Sequence, residues 1–335
     1  MIPIRDTIPS RNYPVVTTAI IGINVLVFLM QLSQGGGSDR FVYIYGLVPA
    51  RYVDPRLTHY FTTGQQFFSL LSFMFLHGGF WHLLGNMWSL WIFGDNVEDR
   101  LGPLRYLAFY LACGLASGVS HLLLNTGSNI PTIGASGAIA GVMGAYFILY
   151  PRAKVLTLVP ILIIPLFFEI PAYFFLGFWF FLQFLNAAAG HGAAGGIAWW
   201  AHIGGFIFGI IFLKLFRILP DTGASRMISK ATAKKHTDRL QVIRPVNLDS
   251  EDPNLYGTIE VTSSEALRGT RKIVNIPWGF QKRLIKVTVP AGIEEGGKLK
   301  LRGQGRLMSD GRQGNLLLKV NFRNRAERDG SAGKM

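Results

Sequence analysis

Ile133-Gly134-Ala135-Ser136-Gly137-Ala138-Ile139-Ala140-Gly141-Val142-Met143-Gly144-Ala145-Tyr146-Phe147-Ile148-Leu149-Tyr150 is an uncharged run that stops at Pro151, Arg152 and Lys154. A helix of this length, at ~1.5 Å per residue, reaches about 27 Å, close to the thickness of a bilayer's hydrocarbon. The run reads as a membrane span. It carries a serine near its start, and Gly137, Gly141 and Gly144 share one helix face. Small residues on one face let two membrane helices pack closely.

Five further runs read the same way, at about 15–32, 79–93, 104–124, 166–185 and 195–216. The run at 15–32 is long for a signal-peptide core and reads as the first span. Residues 33–76 form a long loop, with 67–76 apolar but short, as expected of an interfacial or re-entrant segment. Pro160, Pro165 and Pro171 break the stretch after Val155, so an interfacial segment to about residue 165 is expected before the fifth span. Six spans put both termini on one side. Arg5, Arg11, Arg100, Arg105, Arg152, Lys154, Lys214 and Arg217 all fall there, while loops 125–132 and 186–194 carry no Lys or Arg. The positive-inside rule makes that side cytoplasmic. Arg40, Arg51 and Arg56, in the first outer loop, are a mild exception.

Composition agrees. Half of the 335 residues are hydrophobic and 16% are charged, against ~25% charged in an ordinary soluble protein. That excludes a disordered chain and a simple soluble globule. Cys113 is the single cysteine, which excludes a disulfide framework and a Cys-rich metal site. Residues 1–217 hold 11 Lys+Arg and 7 Asp+Glu, and residues 218–335 hold 22 and 12. A basic tail beside a membrane domain suits the anionic cytoplasmic leaflet. Its cations are interleaved with acids, so no nucleic-acid partner is expected. Residues 218–254 read as a basic linker. The segments 258–262, 272–276, 284–289, 298–302 and 315–321 read as strands of a small all-β domain over 255–322, with a disordered tail at 323–335.

Polar groups inside spans are functional suspects. Asn86, with His82 one turn before it, Ser136 and His202 all lie ~5–10 Å below the outer surface in this topology. Gly205 and Gly209 follow His202 on its helix face. Close packing would let Ser136 reach the His202 imidazole, with serine as nucleophile and histidine as base. The Asn86 amide and the Ser136 backbone N–H could then stabilise a developing oxyanion. No carboxylate lies at this depth, so the arrangement is a dyad. No metal and no cofactor is expected: His77, His82 and His202 have no carboxylate or thiol to complete a metal site.

These residues resemble the rhomboid family of intramembrane serine proteases over about residues 15–217. The resemblance rests on His77-Gly-Gly-Phe-Trp-His82-Leu-Leu-Gly-Asn86, Val97-Glu98-Asp-Arg100-Leu-Gly102, Gly134-Ala-Ser136-Gly137 and Ala201-His202-Ile-Gly-Gly205. It implies a six-helix membrane bundle with Ser136 as nucleophile, His202 as base, and Asn86 and His82 on the oxyanion side. Glu98 and Arg100 match a motif that reads as structural, as do Gly134, Gly137 and Gly205. It further implies membrane-protein substrates, single- or multi-span, cleaved in a transmembrane helix near the outer face without cofactor. Members often carry an aromatic residue four positions after the serine, stacked on the histidine. Here Ala140 stands there, so the imidazole must be oriented some other way.

The tail resembles the C-terminal client-binding domain of DnaJ-type co-chaperones. The matching stretches are Glu265-Ala-Leu-Arg-Gly-Thr270, Val287-Thr-Val-Pro-Ala-Gly-Ile293, Leu299-Lys-Leu-Arg-Gly-Gln-Gly305 and Gly314-Asn-Leu-Leu-Leu-Lys-Val320. The resemblance implies a β-sandwich that holds a cytoplasmic peptide client along a sheet edge. A folded appendage that only aids stability or assembly is the other reading. For the whole chain two function classes compete: an intramembrane protease, and a catalytically inactive scaffold that binds membrane clients. A channel fits six spans, but no inverted repeat or charged pathway is visible. The expected location is the lipid bilayer of a bacterial-type plasma (inner) membrane, with both termini cytoplasmic.

Overall fold

The computed structural model describes residues 1–161, 164–189, 198–234, 240–243, 252–278, 281–306, 308 and 311–322. The chain divides into two compact units, Met1–Lys234 and Lys235–Met335.

The first unit opens with strand β1 (Ile2–Asp6) and helix α1 (Val15–Ser33). Helix α1 has Pro14 at its N-cap, no capping side chain of its own and no acid in its first turn. Its free N–H groups are met from elsewhere. The carboxylate of Glu98 accepts from Val16 N at 2.9 Å, Thr17 N at 2.8 Å and Thr17 Oγ1 at 2.8 Å. A carboxylate on a helix N-terminus satisfies orphan donors and the positive end of the helix dipole together.

The loop that follows is built of short helices: α2 (Ser38–Tyr45), a 3-10 turn at Pro49–Tyr52, α3 (Pro55–Thr58) and α4 (Thr63–Ser72). Arg51 is fully buried. Its guanidinium donates to the carbonyl of Ile44 at 3.0 Å and lies 4.8 Å from the Phe61 ring centroid. Arg56 pairs with Asp54 at 3.0 Å. Two of the three cations in this loop are thus committed to local contacts, which accounts for their place in a loop expected on the outer side.

A 77° bend separates Thr63–Phe75 from α5 (Phe80–Leu101). Helix α6 (Pro103–Leu124) follows at once. Gly102, at φ +79, serves as C-cap of α5 and N-cap of α6, and Pro103 opens α6 where its missing N–H costs nothing. Helix α7 (Ser136–Leu149), α8 (Ala172–Ala188) and α9 (Trp199–Ile218) complete the set. Helices α1, α6 and α9 are each long and apolar enough to cross a membrane, the bent pair ending in α5 passes as a fourth, and α7 and α8 are shorter apolar helices.

Two expectations are corrected here. The stretch after Val155 does not lead into a span at 166. It is a β-hairpin, β2 (Lys154–Ile161) and β3 (Ile164–Pro171), and β1 adds antiparallel to β2. The fifth helix therefore begins at Ala172 and not at 166. The reason lies in the prolines: Pro160 pairs with Pro165 and Lys154 with Pro171. Proline has no N–H, so it fits a strand pair that exchanges no hydrogen bond there and does not fit a helix interior. Secondly, the linker expected at 218–254 holds ordered elements. Helix α10 (Gly223–Thr232) belongs to the first unit, and Lys234 N donates to the Arg11 carbonyl at 2.9 Å. Part of the expected outer loop 186–194 and the start of the expected sixth span lie outside the described residues, as does the tail from 323.

Among its described residues the second unit has two three-stranded sheets. One has the order β4 (Leu240–Val242), β6 (Thr270–Trp278), β7 (Gln281–Val289). The other has the order β5 (Leu255–Val261), β9 (Leu316–Phe322), β8 (Lys298–Leu301). Along β5 burial alternates, with Leu255, Ile259 and Val261 inside and Tyr256, Thr258 and Glu260 outside. Both sheets feed one core, which includes Ile243, Val274, Val287 and Leu318. The unit thus reaches upstream of the expected start at 255. Helix α11 (Ser263–Arg268) begins with a capping box between Thr262 and Glu265.

Candidate active site

Helix α7 starts at Ser136 because the chain before it cannot be helical. Gly134 has φ +122, a conformation L side chains rarely adopt, and its N–H donates to the Phe73 carbonyl at 2.8 Å. Ser136 is therefore the first residue of the helix, with a backbone N–H of the unsatisfied first turn. The expected span began three residues earlier. His202 is likewise in the first turn of α9.

The two helices approach until backbone meets backbone. A Cβ on Gly205 would overlap the Gly137 carbonyl oxygen, and one on Gly209 would overlap that of Gly141. This contact lets a short side chain bridge them: Ser136 Oγ lies 2.8 Å from His202 Nε2.

The other imidazole nitrogen also has a partner. His202 Nδ1 is 2.8 Å from Gln183 Oε1, on α8. The Gln183 amide nitrogen donates to the Trp179 carbonyl one turn back at 3.3 Å, so its oxygen faces the ring. An amide oxygen only accepts, so this contact suits a ring with its proton on Nδ1 and the Nε2 lone pair toward the serine hydroxyl. Ala140 is fully buried and supplies no ring. Trp179 and Trp199 flank the imidazole instead, with centroids at 6.0 Å and 6.2 Å.

Across from the serine stand two residues of α5. His82 Nδ1 accepts from Gly78 N at 3.3 Å, which leaves its proton on Nε2, the nitrogen nearest Gly134. The two histidines thus hold opposite tautomers. Asn86 is 8% exposed, and its Nδ2 is buried without a partner among the described residues. An unsatisfied buried donor is costly, ~1–3 kcal/mol, and calls for a reason. His82, Asn86, Gly134, Ser136, Gly137 and His202 all line one cavity of about 460 Å³.

The structure does not bring Glu98 and Arg100 to this cavity. They sit in the last turn of α5, ~18 Å along the helix from Asn86, where Glu98 caps α1 and Arg100 is exposed. Gly205 acts by letting α9 approach α7. Among the described residues no three His, Cys, Asp or Glu side chains gather as metal ligands. Gln183 is the site residue that the sequence reading missed. Its signal was present: with Asn186 it is one of two amides in the apolar run Ala172–Ala188, and it meets the same criterion as Ser136 and His202.

A Rhomboid domain model matches residues 64–218, and a DnaJ C terminal domain model matches residues 255–331. Rhomboid protein 1, mitochondrial, of Saccharomyces cerevisiae is 30% identical over 233 residues, covering 67% of this chain and 56% of that protein. The human presenilin-associated rhomboid-like protein, mitochondrial, is 30% identical over 208 residues, covering 58% and 47%. Rhomboid protease GluP of Bacillus subtilis is 29% identical over 137 residues, covering 41% and 25%. The chain thus spans about half the length, or less, of these relatives. Two of the names carry a mitochondrial address, which stands against the expectation of a bacterial-type plasma membrane. This chain is an integral membrane protein.

Proposed function

The chain joins a rhomboid domain to a DnaJ C-terminal domain, and from that premise we propose that it is an intramembrane serine endopeptidase. Its substrates are membrane-spanning helices of other proteins, cut near the outer face. The observation that carries this reading is the 2.8 Å approach of Ser136 Oγ to a His202 nitrogen whose lone pair faces the hydroxyl.

The chemistry follows from that contact. His202 Nε2 takes the proton as Ser136 Oγ attacks the scissile carbonyl carbon. The carbonyl oxygen gains negative charge and needs donors. Asn86 Nδ2, the Nε2–H of His82 and the Ser136 N–H are the candidates, and among the described residues Asn86 Nδ2 has no competing partner to give up. The imidazolium then gives its proton to the leaving amine. Water enters the cavity and attacks the acyl carbon as His202 takes its proton; the acyl–Oγ bond then breaks as His202 returns that proton to Ser136 Oγ, and the new carboxyl end leaves. Such a site must hold water at membrane depth, and the cavity of about 460 Å³ has room for it.

For the architecture we read six spans, with the charged ends Arg5, Arg11, Arg100, Arg105, Lys214 and Arg217 on the cytoplasmic side. The second unit reads as a β-sandwich that offers a cytoplasmic peptide client a sheet edge. The test is cleavage of a single-span reporter in proteoliposomes, wild type beside Ser136→Ala. Cleavage by the wild type alone supports the reading. Equal cleavage by both sinks it, and no cleavage by either folded protein favours the inactive client-binding scaffold.

A further inference from the structure

The imidazole of a serine–histidine pair works only in one tautomer. If the proton sat on Nε2, His202 would have no lone pair for the Ser136 hydroxyl. A group beyond the pair must therefore hold the proton on Nδ1. The flanking rings do not, since Trp179 is tilted by 35° and Trp199 stands at 90°, and neither offers an acceptor to Nδ1.

We propose that Gln183 is the positioning residue that fixes His202 as the Nδ1–H tautomer. This inference rests on the protease reading. Three observations carry it. Gln183 Oε1 lies 2.8 Å from Nδ1. The amide is itself held, by its bond to the Trp179 carbonyl, so that oxygen and not nitrogen faces the ring. And Gln183 is 6% exposed on a helix whose other buried residues are Ala172, Phe175 and Leu176, all apolar. Burying an amide in apolar surroundings is unfavourable unless both its ends are bonded, and here both are. A neutral amide also suits this depth better than a carboxylate, because it orients the ring without placing a charge in hydrocarbon.

A second consequence concerns helix α8. Phe174, Phe178, Phe181, Leu182 and Phe184 of α8 are exposed, while Phe175, Leu176 and Gln183 are buried. Gln183 lies near the C-terminal end of that helix. The base is therefore correctly protonated only while this part of α8 stays seated beside His202.

The experiment compares wild type, Gln183→Leu and Gln183→Glu in proteoliposomes, reading kcat, KM and pH profile on the single-span reporter, with thermal midpoints as a folding check. In parallel, 15N chemical shifts of the imidazole report the tautomer with no turnover. In Gln183→Leu, kcat falls about 10- to 100-fold while KM moves less than about twofold, by analogy with other groups that orient a reacting imidazole. Gln183→Glu restores an acceptor, so kcat recovers at neutral pH. Its carboxylate favours the imidazolium, so the acidic limb of the profile moves up by about one pH unit or more. The wild-type ring shows its proton on Nδ1, and Gln183→Leu loses that preference. Wild-type kcat in Gln183→Leu, an unmoved acidic limb in Gln183→Glu, or a wild-type proton on Nε2 overturns the proposal. Absence of Ser136-dependent cleavage in the wild type overturns the protease reading instead, and the 15N measurement still decides the role of Gln183.

Discussion

A methyl group on Gly134 would stand 2.8 Å from Nε2 of His82, the ring nitrogen that carries the proton. Two facts about one glycine follow. Its backbone, at φ +122, resists any side chain, and the space a side chain would need is the cavity beside Ser136. Gly134→Ala should therefore cost about 2–4 kcal/mol from strain and crowding together. It should also push His82 out of place. A thermal melt in detergent and reporter cleavage check this. Wild-type melting with a wild-type rate would show that the chain relaxes freely there.

Asn86→Ala separates catalysis from stability. The Asn86 Nδ2 gives up no hydrogen bond to the described residues. Its removal frees the fold of an unsatisfied buried donor, so the melting temperature should not fall, yet kcat should drop about 10²- to 10³-fold, as loss of one oxyanion donor does. Melting and single-turnover rates measured on the same preparation decide. A large drop in melting temperature with little change in rate would make Asn86 a packing residue.

Glu98→Gln tests the cap on α1. The carboxylate receives three hydrogen bonds from Val16 and Thr17. An amide keeps the shape but loses the charge and turns two N–H groups toward donors. The expected loss is about 1–3 kcal/mol. The rate per folded molecule should hold, since Glu98 is at the far end of α5 from the cavity. Normal stability in the variant would show that the cap carries little weight.

Acid should weaken the second unit through Glu265. Burial raises the carboxyl's pKa, but the hydrogen bonds from Lys272 and from Thr262 outweigh it and leave the pKa below the ordinary glutamate value. Lys272 is nearly buried and its Nζ is 2.8 Å from Glu265 Oε2. A depressed folded pKa gives stability that is present above the unfolded value, ~4.3, and is lost as pH falls through the folded one. Limited proteolysis of the full chain should therefore cut within 255–322 more readily as pH drops below ~4. Glu265→Gln should be cut more readily at pH 7 and show a shallower acid dependence. An identical acid profile in the variant would remove Glu265 from the account.

The fold was legible where a single segment carries its own signal. The glycines of α7 and α9 announced a close contact, and the structure has backbone against backbone there. The alternation along β5 and β9 announced a sheet. The β1–β2–β3 sheet was not legible, because Ile2 pairs with Leu158, and no local pattern near residue 2 points so far along the chain. Apolar residues broken by prolines look alike in an interfacial coil and in a strand whose unbonded positions suit proline. Glu98 belongs to a motif that reads as structural, and only the fold shows that its carboxylate caps α1.

By itself, the sequence determined which atoms could do chemistry. In an apolar run any polar group stands out, because hydrocarbon makes it costly to keep without a purpose, and so Ser136, His202 and Asn86 were visible one by one. The tertiary structure alone decided what each of them faces. Ser136 and His202 are 66 positions apart and Gln183 is 19 from His202. Their meeting is set by how α7, α8 and α9 cross. The tautomer of His202 is a property of that crossing, since a proton goes to whichever nitrogen finds an acceptor.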